Sequence, residues 1–161
     1  MNLDTTIEQE IMLALSKSDY DTLRQLLNSS NINEPLDSFG NRPIHLAALK
    51  MDIDMIEFLV MMFGADISIL NSTNWSPLTF IVLRNDPNIN KTVGLLVKLG
   101  ATIKNGKSPF ENLALEYAKS HKEENPNLYN FLESVANSDL NWEKHKAAVF
   151  LRHSLIGPYL L

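Results

Sequence analysis

Four histidines, one pair of aspartates and one short acidic run are the residues of this chain from which chemistry would be built. His45 lies in GNRPIHLAALK, at the start of an apolar stretch, where an imidazole could serve as a general base or a metal ligand. His121, His145 and His153 are the others, and no two of the four stand in the H-x-x-x-H spacing that brings two imidazoles onto one metal. HKEEN, residues 121–125, reads as a solvated loop between helices. Asp52 and Asp54 flank Ile53 at a turn, where an aspartate accepts from the first free N–H groups of a helix. The chain has no Gly-rich phosphate loop, no G-x-S-x-G turn and no cysteine nucleophile. The residue types therefore predict no catalytic residue, no cofactor and no bound metal: a protein that is not an enzyme.

Bulk properties narrow the class further. A chain of 161 residues is long enough for one domain with a real core. A net charge of −5, with scattered Lys and Arg, offers no electrostatic footprint for nucleic acid. The absence of cysteine removes a disulfide framework and any thiolate metal site. The N-terminus, MNLDTTIEQEIMLAL, carries acids where a signal peptide needs bases, and no apolar run approaches the roughly 20 residues of a membrane span. The expected location is the cytoplasm, with the nucleus or the cytosol of a host left open.

The elements that would position these residues emerge when the chain is laid against itself. DSFGNRPIHLAALKMDIDMIEFLVMMFGADIS begins at Asp37, and NSTNWSPLTFIVLRNDPNINKTVGLLVKLGATI begins at Asn71. Pro43, Pro77 and Pro109 mark successive units, and Gly64-Ala65 answers Gly100-Ala101. An upstream copy, IEQEIMLALSKSDYDTLRQLLNSSNIN, keeps the rhythm without the proline, and PNLYNFLESV completes the last unit. Each unit reads as two short helices joined by a polar turn, with Pro at the first helical position, where its missing N–H costs nothing. Helices this short are unstable alone, so their apolar faces must be buried by the next unit. Ala47 and Ala48 let the first helix sit close to its neighbours. Ile81 and Val82 replace them in the third unit, which predicts looser packing there.

These residues resemble the ankyrin repeat family, whose unit is close to D-x-x-G-x-T-P-L-H-x-A-A, then a helix, then G-A-D. Asp37, Gly40, Pro43, His45, Ala47, Ala48, Gly64, Ala65 and Asp66 all fall in place, and Gly106, Ser108, Pro109 and Ala114 carry the pattern into the fourth unit. The resemblance implies an all-α solenoid of about four helix-turn-helix units with short β-hairpin fingers. It covers residues 1–136, with repeats at about 5–33, 37–70, 71–102 and 103–136. In that pattern His45 bonds within the turn that starts the first helix; Arg42 here replaces the usual Thr.

Departures from the pattern are informative. RNDPNIN (84–90) and SHKEENPN (120–127) lengthen the turn between the two helices of their units, where a stack tolerates insertions. Gly100 to Pro109 is shorter than Gly64 to Pro77, so the finger between the last two units should be cut short, and the groove should lose a wall there. Residues 137–161 are outside the repeat. Ser138 or Asp139 could cap a helix running to about Ile156, before Gly157-Pro158. Leu140, Ala147, Ala148, Leu151 and Leu155 form one stripe, suited to sealing the end of the stack. Trp142, Val149 and Ile156 line up on the opposite side, to be covered by the tail PYLL, by a partner or by a twin chain.

The resemblance also implies function. Ankyrin partners usually dock on the finger tips and on the exposed side of the first helices, a concave face. Carried over by position, the tips are Ser38, Phe39 and Asn41, then Ser72, Thr73 and Trp75; the helix positions are Leu49 and Lys50, then Leu83 and Arg84. An aromatic on each of two adjacent tips with a cation nearby is the composition of a binding hot spot, although Phe39 and Trp75 could instead pack finger against finger. The expected function is a non-catalytic module binding another protein, with no nucleic acid and no membrane. Alternatives are a stoichiometric inhibitor of an enzyme such as a protein kinase, or an adaptor or pathogen effector acting on a host protein. Seventeen Asn and no Cys fit the AT-rich genome that the last of these suggests. A monomer is expected, with a homodimer through the C-terminal helix as the alternative.

If the segment after Asn137 seals the stack, its deletion exposes the apolar flank of the fourth unit, and the truncated chain melts at a lower temperature or aggregates. Thermal denaturation of the two chains checks this; an unchanged melting temperature would mean that the segment does not pack on the repeats.

Overall fold

The computed structural model describes residues 5–84, 89–101 and 113–137. Eight helices occupy these residues: α1 (Thr5–Lys17), α2 (Tyr20–Leu26), α3 (Pro43–Lys50), α4 (Ile53–Phe63), α5 (Pro77–Val82), α6 (Ile89–Lys98), α7 (Leu113–Ser120) and α8 (Pro126–Asn137). They pack as pairs, α1 on α2 through α7 on α8, and the first helices of the pairs touch in the order α1, α3, α5, α7. The all-helical solenoid follows, and the two turns expected to carry insertions join α5 to α6 and α7 to α8.

Local chemistry starts and stops each helix. Pro43 and Pro77 occupy the first turns of α3 and α5. The Asp52 carboxylate accepts from the N–H of Met55, as expected of a residue preceding Ile53, and Asp19 does the same for Thr22. Between the helices of the first two pairs the chain makes one turn twice. Ser18 (φ 53°) precedes Asp19, and Met51 (φ 55°) precedes Asp52. Ser18 Oγ donates to Asp52 Oδ2 at 2.7 Å, tying these turns together across the repeat.

None of these helices is long enough to persist alone; packing of one pair on the next supplies the stability. Ile11, Leu15, Leu23, Ile44, Ile56, Leu59, Leu78, Ile81, Ile89 and Leu132 form part of one continuous core. Full burial of each such side chain contributes about 1.5–3 kcal/mol. Ala47 and Ala48 are buried, as their size suggested, but Ile81 and Val82 are each 0% exposed, so the third unit shows no loosening in their burial. What changes is length: α5 stops at Val82, whereas α3 runs two residues further in the same frame, to Lys50. In the layer of second helices, Tyr20 meets Phe58 edge-on at 4.9 Å, and the Arg24 guanidinium lies 5.2 Å from the same ring.

The fingers differ from expectation. Among the described residues there is no β-strand. The finger at 37–41 closes with Gly40 N–H donating to Asp37 O (2.9 Å) and Leu36 N–H to Asn41 O (2.7 Å), and it meets the next finger through Ser72 N–H to Phe39 O (2.9 Å). Aspartate and asparagine side chains take up much of the bonding that a strand ladder would provide, so the fingers are turns. The shortened finger between the third and fourth units, residues 85–88 and the helix expected over 138–156 lie outside the described residues.

Gly40 is the tightest point of the finger stack. Its φ is +71°, and a β-carbon there would stand 2.4 Å from Ser72 Oγ and 3.0 Å from Ser72 N. Both the conformation and the space exclude a side chain. Gly40→Ala is expected to destabilise the protein by about 2 kcal/mol, measured by urea unfolding; Gly64→Ala, which has a similar φ but open space, is expected to cost less.

Candidate protein-binding face

The face begins with a buried imidazole. His45 is completely buried. Its Nδ1 accepts from the Arg42 backbone N–H at 3.1 Å, and its Nε2 lies 3.1 Å from the carbonyl oxygen of Trp75. With Nδ1 accepting, Nε2 must carry the proton, so the neutral ring bridges its own helix start to the finger of the next unit. His45 is therefore structural, although its reach to the following repeat exceeds a bond within one turn. Burial pushes its pKa down from 6.5 to about 4, and the Arg42 charge acts in the same direction.

Arg42, standing where the family pattern has Thr, makes three links of its own. Its guanidinium donates to the carbonyls of Asn33 (3.2 Å), Gly40 and Leu70 (3.0 Å), joining three loop segments. A guanidinium has no acceptor, so only the His45 half of a reciprocal capping box forms.

A second network sets the fingers. Asp37 Oδ1 accepts from the N–H groups of Phe39 (3.0 Å) and Asn41 (2.9 Å). Asn71, 34 residues later, repeats the arrangement with Thr73 (3.0 Å) and Trp75 (2.9 Å). The two are joined through Asn41, whose amide donates to Asp37 Oδ2 (2.8 Å) and accepts from Asn71 Nδ2 (2.9 Å). Asn41 is only 8% exposed and has no amide hydrogen-bonding role at a tip; it couples neighbouring fingers, a correction to its placement among the tip residues. Its place in the turn could not reveal that Asn71 of the next finger closes over it.

The other sequence-derived positions separate by environment. Phe39 is 63% exposed, and Leu49 is 40% exposed. Thr73 is exposed, but its hydroxyl is turned onto Asn71 Oδ1 at 2.8 Å. Trp75 is half-buried, its indole edge-on to Phe80 with ring centres 5.3 Å apart. Lys50 Nζ donates to the carbonyls of Leu15 and Ser16, each at 2.9 Å, and Arg84 donates to the carbonyl of Leu49. Each cation thus meets the C-terminal end of the preceding first helix, where free carbonyls favour positive charge. Trp142, Val149 and Ile156, proposed for a second contact, lie outside the described residues.

Leu83 and Trp75 come together in an open pocket of about 310 Å³, completed by Thr79, Glu116, Tyr117 and Ser120. The last three sit on α7 and were not among the sequence-derived site residues. Counting from the proline of each unit would have found one of them: Leu49, Leu83 and Leu115 share one place, followed by Lys50, Arg84 and Glu116. Among the described residues, no group of three or more acidic or histidine side chains could hold a metal ion, and no helix is long and apolar enough to cross a membrane.

The ankyrin repeat family model, in three copies, matches residues 11–107, more than half of the chain. This chain belongs to the ankyrin repeat family. Over 77 residues, 48% of the chain, it is 36% identical to Regulatory protein SWI4 of Saccharomyces cerevisiae. The shared stretch covers 6% of that protein's length. Ankyrin repeats are in general protein–protein interaction modules, typically without catalytic activity, and the paired helices and stacked fingers described above are the repeat architecture.

The His45 bridge makes stability depend on pH with a definite sign. The folded pKa is depressed, so the unfolded chain binds the proton more readily. The contribution is complete above about pH 6.5 and is lost as pH falls towards 4. A shift of this size corresponds to about 3 kcal/mol. Urea unfolding at pH 7 and pH 4.5 should show the loss, and His45→Gln, less stable at pH 7, should show a smaller difference between the two. Equal pH dependence in both chains would mean that His45 is not held neutral.

Proposed function

We propose that this protein is a non-catalytic docking module that binds a partner protein through the concave face formed by its finger tips and first helices. The observation that carries the proposal is Phe39. The ring of Phe39, a residue 63% exposed on a turn whose N–H groups are already bonded to Asp37, is not part of the apolar core. Leu49, exposed on the first helix of the same unit, and the pocket beside Trp75 extend apolar surface along the neighbouring units. Fixed backbone supports them, so little ordering entropy opposes association.

The residues of this face divide by role. Phe39, Leu49, Trp75 and Leu83 supply apolar contact. Lys50 and Arg84 act first on the repeats themselves by capping the preceding helices, and they contribute to a partner only through charge remaining at the rim. Thr73 and Asn41 set finger shape. The similarity to part of a protein described as regulatory is in keeping with a role in regulation.

Affinity capture from cell lysate tests the proposal with three variants. Phe39→Ala should lose bound partner at unchanged melting temperature. Trp75→Ala should weaken binding by about 2 kcal/mol or more, as a central aromatic does, and cost about 1 kcal/mol in stability from its contact with Phe80. Glu123→Ala, exposed in the loop between α7 and α8, should change neither. A partner retained by both aromatic variants would place docking elsewhere on the molecule.

A further inference from the structure

The pocket between the third and fourth units has a composition that the rest of the concave face lacks. Going back from each end of the first helices, Lys50 reaches Leu15 and Ser16, and Arg84 reaches Leu49. The same place in the fourth unit is Glu116. A carboxylate cannot donate to a carbonyl, so Glu116 cannot repeat the capping by which Lys50 and Arg84 join the earlier units. Glu116 is exposed, lines the pocket, and forms no ion pair among the described residues. Arg84 is engaged with Leu49, and Lys122 lies 4.5 Å from the Tyr129 ring centre.

The remaining walls suit one kind of guest. Trp75 and Tyr117 bring two electron-rich rings to the pocket, and Leu83 adds an aliphatic surface. His121 stacks on Tyr117 with ring centres 4.0 Å apart, which fixes the phenol ring in place. A long aliphatic stem ending in a cation satisfies all of these together: methylenes against Leu83, positive charge over the aromatic rings, and an ion pair with Glu116. The net charge of −5 favours the approach of a basic segment.

We propose that this pocket receives an arginine or lysine side chain from a basic segment of the partner protein. The inference rests on the docking reading above and gives it a chemistry: the partner is recognised here by a cation seated between Trp75, Tyr117 and Glu116. An acidic segment would face Glu116 unpaired, and a purely apolar one would leave that carboxylate beside it without a counter-charge.

A random linear peptide library displayed on phage, panned against the full chain and against its Trp75→Ala, Glu116→Gln and Glu116→Lys variants, tests the assignment. Glu116 is exposed, so both of its variants should retain the wild-type helical circular dichroism. The wild type should enrich peptides with an arginine or lysine at one shared position. Replacing that arginine with citrulline, its neutral isostere, or lysine with norleucine should weaken binding by about tenfold. Glu116→Gln should cause a similar loss, the two changes together should lose little more, and Glu116→Lys should no longer select the basic residue. Enriched peptides that bind Glu116→Lys as well as the wild type, or that share no basic residue, would overturn the assignment while leaving the docking reading standing if Trp75→Ala still abolishes their binding. Failure to enrich any peptide that depends on Trp75 would overturn both.

Discussion

The bridge from His45 to the carbonyl of Trp75 is the constraint around which the binding face is organised. A finger projecting from a helical stack exposes backbone groups that neither its own helices nor a sheet will satisfy, and each one buried without a partner costs about 1–3 kcal/mol. Here the Trp75 N–H is taken by Asn71 and its carbonyl by His45 from the preceding unit. The peptide groups on either side of the indole are therefore held from two directions, and the side chain leaves a backbone with little freedom. Phe80, edge-on to both His45 and Trp75, fills the corner between them. If Trp75 meets a partner as proposed, a side chain held in this way loses less entropy on binding than one carried by a free loop. The same bond requires a neutral imidazole, which links the shape of a surface finger to a buried titration.

Neighbouring units are joined more by side chains reaching to backbone than by ion pairs. Arg42, Lys50, Arg84 and His45 each engage a carbonyl of another unit or of a connecting loop, while the one ion pair among the described residues, Arg24 with Asp21, lies within a single exposed helix turn. An exposed pair of that kind contributes little. Donors aimed at helix ends or buried carbonyls satisfy groups that would otherwise be left open, and they fix the register of one unit on the next. Apolar burial supplies most of the cohesion, but it tolerates sliding; the directional bonds do not.

Much of this architecture was legible in the sequence because repetition marks which residues occupy equivalent places. Pro43 and Pro77 gave the starts of two first helices, Asp52 the cap of α4, and Ala47 with Ala48 the closely packed side of α3. Phe39 was placed at a tip by the family pattern, and it is 63% exposed. Partnership between units was less legible. A lysine or arginine at the end of a helix looks the same in sequence whether it faces solvent or bends back onto the carbonyls of the preceding repeat. Asn41 reads as a polar tip residue because the closure over it comes from Asn71, thirty residues away in the chain. Strand structure in the fingers was expected from family pattern, whereas the bonding is local, through Asp37 and Asn71 to their own turns.

Glu116 stands where Lys50 and Arg84 cap the preceding first helix, and it lines the pocket proposed above to receive a cation. In the earlier units a cation at the end of the first helix neutralises the partial negative charge of the helix behind it, and its donors are occupied by carbonyls. A carboxylate at that place cannot donate to a carbonyl, so Glu116 cannot make the link that Lys50 and Arg84 make. In the binding mode proposed above, a cation from the partner would pair with that carboxylate. On that proposal the partner supplies the positive charge that the chain's own Lys50 and Arg84 supply in the preceding units.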